Sequence, residues 1–231
     1  MLQIQQRCKS PRPADWRNPA CKVNRSVSFA FGRALRRSRW WQVLSKKLQD
    51  VFWVYCTKNF IITNTEDFTL IEPAIRCDLL SVTSGNYFRV QEFREQDRIR
   101  EYRTKLERNE IGFFAEYDGK IVGSIWATIN QSPAPNVVRR YMKLMPGEAL
   151  IHDIVTGERY RGMGVGPFMV CQIAPVLLGE YKASRIVIDV NVRNTASLKM
   201  MNKAGLQVKQ TALYVSAFKK LVFHRVVKSY Q

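Results

Sequence analysis

A glycine-dense stretch, ERYRGMGVGPF at residues 158–168, constrains the fold of this chain more than any other feature. No Lys-Ser or Lys-Thr follows the glycines, which excludes a phosphate-binding P-loop. The dinucleotide-binding fingerprint also fails, because Pro167 occupies the place of its third glycine. Gly162, Gly164 and Gly166 instead allow several backbone amides to converge on one anion, and Pro167 suits the first turn of a helix whose positive end adds to that site. An ordinary glycine-rich turn is the alternative.

The flanking patterns place this loop between a strand and a helix. Residues 148–156 (EALIHDIVT) form a predicted strand that leads into the loop, and a helix is predicted from Pro167, with Pro175 predicting a kink or an early end. A buried strand is predicted at residues 184–190. The next helix spans residues 194–206, with Asn194 as its N-cap and Gly205 just past its end.

The rest of the chain adds further strands and helices. A hairpin is predicted over residues 111–129, because Asp118-Gly119 is a strong turn signal between two β-rich runs. The other predicted elements are helices at 31–51, 93–109 and 137–144, and strands at 66–73, 207–217 and 220–227.

Charge is concentrated at the start of the chain. The 231 residues have a net charge of +18, and residues 1–58 contribute thirteen Lys and Arg against Asp15 and Asp50, a net +11. This segment is also rich in aromatic residues, which suits an anionic partner: a membrane surface, an acyl carrier protein or, ranked below these, nucleic acid. A solvated basic extension and an organelle transit segment are the alternatives.

Cysteine usage and hydropathy indicate the compartment. The five cysteines are odd in number and scattered without a C-x-x-C pair, so neither a disulfide framework nor a zinc site is indicated. No apolar run reaches the length of a membrane span, and the longest, residues 51–62, is interrupted by Lys58 and Asn59. We therefore predict a cytoplasmic protein without a metal, peripheral to a membrane if the basic segment binds lipid.

The order of these elements resembles the GNAT acyltransferase superfamily over residues 66–227. The family's Arg/Gln-x-x-Gly-x-Gly/Ala motif matches Arg161, Gly164 and Gly166, and its Asn followed by a short helix matches Asn194 to Leu206. The hairpin YDGKIVGS, with Gly123, is also similar. The resemblance implies an α/β (α+β) fold with a mixed central sheet flanked by helices. We divide the chain into a basic extension (residues 1–65) and a GNAT domain (residues 66–231).

The resemblance also implies a co-substrate and the residues that bind it. Acetyl-CoA, or a longer acyl-CoA, is expected to pair its pantetheine with the backbone of Ile154, Val155 and Thr156. Asn194 is expected near the thiol end. The pyrophosphate is expected on the backbone amides of one loop, comprising Arg161, Gly162, Met163, Gly164, Val165 and Gly166. The acceptor amine then attacks directly, so Cys171 is interpreted as a packed core residue and not as a nucleophile.

Direct attack requires a base, and the strand before the loop offers His152, Glu148 and Asp153, in that order of preference. Alternation places Glu148 and His152 on one face and Asp153 on the other unless a bulge intervenes. In many family members a tyrosine of the short helix protonates the leaving thiolate, and here that position is Met201. Tyr141 and Tyr214 are the alternative proton donors.

The predicted function is therefore an acyl-CoA-dependent N-acyltransferase, with the acceptor amine unidentified. One alternative is a degenerate GNAT scaffold that binds an anionic surface, either a membrane or nucleic acid. The other is an N-acyltransferase whose donor is an acyl carrier protein bound through residues 1–58.

Overall fold

The computed structural model describes residues 52–138, 141–218 and 220–230, without the side chains of residues 52 and 220. Contacts divide the chain into Met1–Lys47 and Leu48–Gln231, and the second unit contains every element described below. The helix predicted at residues 31–51 lies outside the described residues.

The second unit contains ten strands and three α-helices among the described residues. The helices are α1 (Arg98–Glu107), α2 (Val165–Gly179) and α3 (Thr195–Lys203). The strands are β1 (Phe52–Ile62), β2 (Asp78–Ser81), β3 (Ile111–Tyr117), β4 (Lys120–Ile129), β5 (Asn136–Val138), β6 (Met142–Leu144), β7 (Glu148–Thr156), β8 (Arg185–Asn191), β9 (Val208–Ala217) and β10 (Lys220–Ser229).

Eight strands form one mixed sheet in the order β10-β9-β1-β8-β7-β4-β3-β2. Neighbouring strands are antiparallel except β7 and β8, which run parallel and are joined through α2. The order of strand, glycine loop, helix and strand is the one that the sequence predicts, and it places the loop at the end of β7.

β1 lies inside the sheet, between β8 and β9. Its Phe60 and Ile62 are fully buried. The unit that contains the sheet begins at Leu48, which is before the boundary predicted at residue 66. The physical reason is that both partners of β1 come from the far end of the chain, so no local pattern connects them to it.

Helices cover the sheet on both faces. Alternation along β7 and β8 puts Ile151 and Ile188 in the main core under α2 and α3. Leu150 and Val187 face the other way, into a smaller core under the β5–β6 hairpin. α1 covers the same side as that hairpin, because its Tyr102 packs on Trp126 of β4.

Two predicted elements are wrong and several bounds shift. In place of the helix predicted at residues 137–144, β5 and β6 pair antiparallel: Met142 and Leu144 are buried whereas Lys143 is exposed, which is the period of a strand. Residues 66–73 form no strand. Asn64 and Asp67 instead cap a short 3-10 helix at Thr65–Asp67. α1 begins later than predicted, and Pro175 lies within α2 without ending it.

Candidate active site

The glycine loop joins β7 to α2. After Thr156, one 3-10 turn (Glu158–Tyr160) leads to Gly162 and Gly164, whose φ angles are +85° and +84°. L-residues with side chains rarely adopt this left-handed conformation, so glycine is required there by the backbone itself. A Cβ at Gly164 would also lie 3.2 Å from Cα of Pro73. The backbone amides at the start of α2 have no partner within the helix and are therefore free to bind an anion.

These residues line a cavity of about 340 Å³, which we call the loop groove. Arg161 lines the groove, as do Lys199 and Lys203 of α3. Of the six loop residues that the sequence analysis selected, only Met163 is absent from the lining; its carbonyl accepts the backbone N–H of Ala74 at 2.8 Å. Gly166 is packed under α3, where a Cβ would overlap the sulfur of Met200.

β7 and β8 part beside the groove. They pair only over Glu148–Ile151 and Arg185–Ile188, although both strands continue further. The gap opens into a cavity of about 210 Å³, the cleft, lined by residues of both strands and of α3. Ile154 lines both the cleft and the loop groove, so the two cavities lie side by side along the edge of β7.

A bulge shapes β7 where it leaves β8. The register with β4 shifts between Ser124 and Trp126, and Asp153 has a φ of +48°. Beyond the bulge, Thr156 lines the loop groove together with Ile154, whereas Val155 pairs with Ser124. Such a bulge is the expected exception to simple alternation of side chains along the strand.

His152 lies in the cleft and is 7% exposed. Its Nε2 shares a hydrogen bond of 2.9 Å with Oγ1 of Thr128 and lies 3.5 Å from Oε2 of Glu110. A neighbouring carboxylate stabilises the charged form of an imidazole, so this pair suits a group that accepts a proton. Glu110 was not predicted from the sequence. Its only local signal was an acidic residue directly before a β-rich run.

Asp153 and Glu148, the other two candidate bases, are held in ion pairs. Asp153 contacts Nζ of Lys105 and lies 3.6 Å from Nη1 of Arg94. Glu148 lies 2.8 Å from Nη2 of Arg185 and accepts the backbone N–H of Met145. Glu148 is at the start of β7, where the strands are still paired, and it does not line the cleft.

The lysine that binds Asp153 is itself buried. The side chain of Lys105 is 8% exposed, and its ammonium lies 5.1 Å and 4.9 Å from the ring centres of Tyr102 and Trp126. It also lies 3.2 Å from a carboxylate oxygen of Glu101. A buried ammonium requires such partners, so this cluster fixes α1 to the bulge of β7.

α3 supplies the remaining cleft residues. Asn194 lines the cleft and caps the helix, with its side chain accepting the N–H of Ser197 at 3.1 Å. Met201 is fully buried and also lines the cleft, where a thioether has no proton to donate. Cys171 is 1% exposed, and burial raises the pKa of its thiol to about 11, which confirms its interpretation as a core residue.

The two tyrosines proposed as proton donors differ in position. Tyr141 donates a hydrogen bond of 2.8 Å to Asp189, and Asp189 lines the cleft. Tyr214 is buried and accepts a hydrogen bond from Asn59 at 3.3 Å, and burial raises the pKa of its hydroxyl. Of the two, Tyr141 is the one connected to the cleft.

On the side of α1, a wider pocket of about 1120 Å³ adjoins the same residues. We call it the α1 pocket. Glu110 and Thr128 line it, whereas His152, which contacts both, lines the cleft. The three side chains therefore connect a cavity on one face of the sheet with the gap between β7 and β8.

None of the helices in the described ranges is both long and apolar enough to cross a membrane. Within those ranges, no three His, Cys, Asp or Glu side chains are grouped so that they could hold a metal ion.

The fold is shared with solved acetyltransferase structures of low sequence identity. An acetyltransferase of the GNAT family from Colwellia psychrerythraea superposes with a TM-score of 0.51 at 12% identity, over 76% of this chain and 61% of that one. A GCN5-related N-acetyltransferase from Kribbella flavida has a TM-score of 0.48 at 11% identity, over 76% and 63%. The chain thus spans less than two thirds of either structure.

Sequence comparison with curated proteins finds no significant match. A family model does match: the one described as the acetyltransferase (GNAT) family aligns with residues 78–206, more than half of the chain. This range contains the hairpin, the glycine loop, the cleft and the capped helix of α3. The chain therefore belongs to the acetyltransferase (GNAT) family.

Proposed function

We propose that the protein transfers an acyl group from acyl-CoA to an amine, with the donor in the cleft and the loop groove. The observation that supports this most directly is the parting of β7 from β8 beside the loop amides. The exposed edge of β7 can pair with the amide groups of pantetheine as an added strand. The pyrophosphate then lies on the amides at the start of α2, close to Arg161.

In the proposed reaction, the neutral amine attacks the thioester carbonyl carbon, a C–N bond forms, and the C–S bond breaks to release the CoA thiolate. His152 accepts the proton that the amine loses, and Glu110 stabilises the imidazolium that results. Thr128 orients the imidazole through its hydrogen bond to Nε2. Because Asp153 and Glu148 are committed to cationic partners, we assign the base to His152.

The thiolate can leave without a strong acid, since a free thiol has a pKa of about 8.5. We assign Met201 no role as a proton donor. Tyr141 donates a hydrogen bond to Asp189, which lines the cleft, and it is our candidate for protonating the thiolate.

We propose acetyl-CoA as the donor, in preference to a longer acyl-CoA or an acyl carrier protein. The cleft, at about 210 Å³, has to hold both the thiol end of pantetheine and the acyl group, which favours a short acyl chain. Because residues 52–58 belong to β1 inside the sheet, we propose that residues 1–47 bind an anionic membrane surface, on account of their net charge and aromatic content. The enzyme would then be cytoplasmic and peripheral to that membrane.

Thermal unfolding with increasing acetyl-CoA tests the proposal against a scaffold that only binds an anionic surface. A ligand that binds the native state stabilises it and therefore raises Tm. When the ligand concentration is about a hundred times its Kd, the stabilisation is about 2.7 kcal/mol. We expect a concentration-dependent rise with acetyl-CoA and with CoA. No rise with either would contradict the assignment of the loop groove.

A further inference from the structure

The α1 pocket has an excess of positive charge that its own ion pairs do not neutralise. Its acidic residues all have cationic partners: Asp97 lies 3.8 Å from Arg98, Glu101 lies 2.9 Å from Arg98 and 3.2 Å from Lys105, and Glu110 lies 3.5 Å from His152. The pocket is therefore not a general acidic site for cationic amines.

Two arginines of this pocket account for its excess positive charge. Arg100 and Arg108 both line it, and among the described residues neither has a carboxylate within ion-pair distance. Thr104 lies between them and also lines the pocket. Residues four apart on a helix share a face, so the three side chains form one row of hydrogen-bond donors about 12 Å long.

The opposite side of the pocket is aromatic. The rings of Tyr55 and Tyr141 stack with their centres 5.1 Å apart, and both residues line the pocket. Its volume of about 1120 Å³ is slightly above that of typical small-molecule sites, which is about 300–1000 Å³. A simple alkyl amine would leave most of this space and both arginines unused.

We infer that the amine acceptor bears a phosphate or carboxylate group, which Arg100, Thr104 and Arg108 bind. A guanidinium binds either group through two parallel charge-assisted hydrogen bonds. Arg108 is two residues before Glu110, so an acceptor held by this row extends toward the carboxylate and hydroxyl that contact His152. The inference rests on the proposed function, because it assigns the α1 pocket to the acceptor.

Calorimetric titration of the full-length protein with inorganic pyrophosphate tests the row directly. Saturating CoA is present throughout, so that the loop groove is occupied. We expect the double variant Arg100→Gln/Arg108→Gln to bind pyrophosphate at least about tenfold more weakly than wild type, since each charge-assisted bond contributes that much or more.

The matched control is Arg103→Gln, on the same helix, where the arginine is 67% exposed and paired with Glu107 at 3.1 Å. It should bind pyrophosphate within about twofold of wild type, because exposed pairs contribute little. Unchanged binding in the double variant, or an equal loss in the control, would overturn the inference. The second result would mean that the overall charge of +18 attracts the anion.

The anionic group of the acceptor is identified by measuring the acylation of three amines with the same two-carbon spacer: O-phosphoethanolamine, β-alanine and ethanolamine. In wild type, one of the two anionic amines should have the highest kcat/KM, and which of them it is distinguishes phosphate from carboxylate. The double variant should lose that preference. A kcat/KM for ethanolamine equal to that of the anionic amines overturns the inference. If none of the three amines is acylated, the pyrophosphate titration alone decides. A separate calorimetric titration with CoA alone precedes these experiments, and absence of CoA binding there would count against the proposed function and not against the inference.

Discussion

Nε2 of His152 lies 3.5 Å from Oε2 of Glu110, at the point where the cleft and the α1 pocket meet. The two residues are distant in sequence and belong to different parts of the fold, β7 and the turn before β3. The proposed proton acceptor and the carboxylate that would stabilise its charged form therefore lie between the proposed donor and acceptor sites.

We predict that His152→Ala lowers kcat by about 10²- to 10⁴-fold, the usual contribution of a general base, with little change in acetyl-CoA affinity. Glu110→Gln should lower kcat by a smaller factor, because the imidazole stays in place and only the stabilisation of its charge is lost. Steady-state kinetics and calorimetric titration measure the two effects separately. Glu107→Gln, at an exposed position on α1, is the control. An unchanged kcat in His152→Ala together with an inactive Glu148→Ala would move the base to Glu148.

A second prediction concerns the glycine loop. Gly164→Val should weaken CoA binding severely, because valine disfavours the required φ of +84° and its Cβ would press on Pro73, displacing the amides. Arg161→Ala should cost about 1.5–3 kcal/mol of binding free energy at most, since the amides and the helix end remain.

Calorimetric titration with CoA gives the ranking of these variants, and circular dichroism verifies that each is folded. Gly179→Ala, at a position on α2 where a Cβ meets nothing within 4 Å, should bind CoA like wild type. A folded Gly164→Val protein with normal CoA affinity would show that the loop is only a turn.

The Lys105–Asp153 ion pair should be important for stability. We expect Lys105→Met to lower the free energy of unfolding by about 3 kcal/mol, because it removes the ammonium that contacts the carboxylate of Asp153, a side chain that is 17% exposed. Urea denaturation measures this change. The double variant Lys105→Met/Asp153→Asn should regain part of the loss, since the carboxylate that Lys105 contacts is also removed. A double variant less stable than the sum of the single changes would contradict this account.

The last prediction concerns the basic N-terminal segment. Because β1 begins at Phe52 inside the sheet, a deletion to test this segment has to stop at residue 47. We expect the full chain to sediment with vesicles containing anionic lipid, and the chain lacking residues 1–47 to remain in solution while it keeps its activity on soluble acceptors. Equal binding of the full chain to neutral vesicles, or none to either kind, would contradict the proposal.

The order of local elements followed from the sequence, because each depends on residues close together in the chain. The Asp118-Gly119 turn, the glycine loop and the capping by Asn194 are determined by backbone conformations that few residues adopt, and all three are present in the structure. The strands that flank them are present as well. The β5–β6 hairpin escaped prediction because short basic segments satisfy the helical and the strand period about equally.

What the sequence could not decide is which distant residues meet. Glu110 becomes a partner of His152 only because β3 and β7 flank β4 in the sheet, and β1 joins the sheet through strands from the other end of the chain. Asp153 and Glu148 look like candidate bases in a single strand, but Lys105 and Arg185 reach them from other elements and hold them as ion pairs. Local backbone preference thus determined the loop and its flanking elements, whereas long-range packing and charge pairing decided which side chains are available for chemistry.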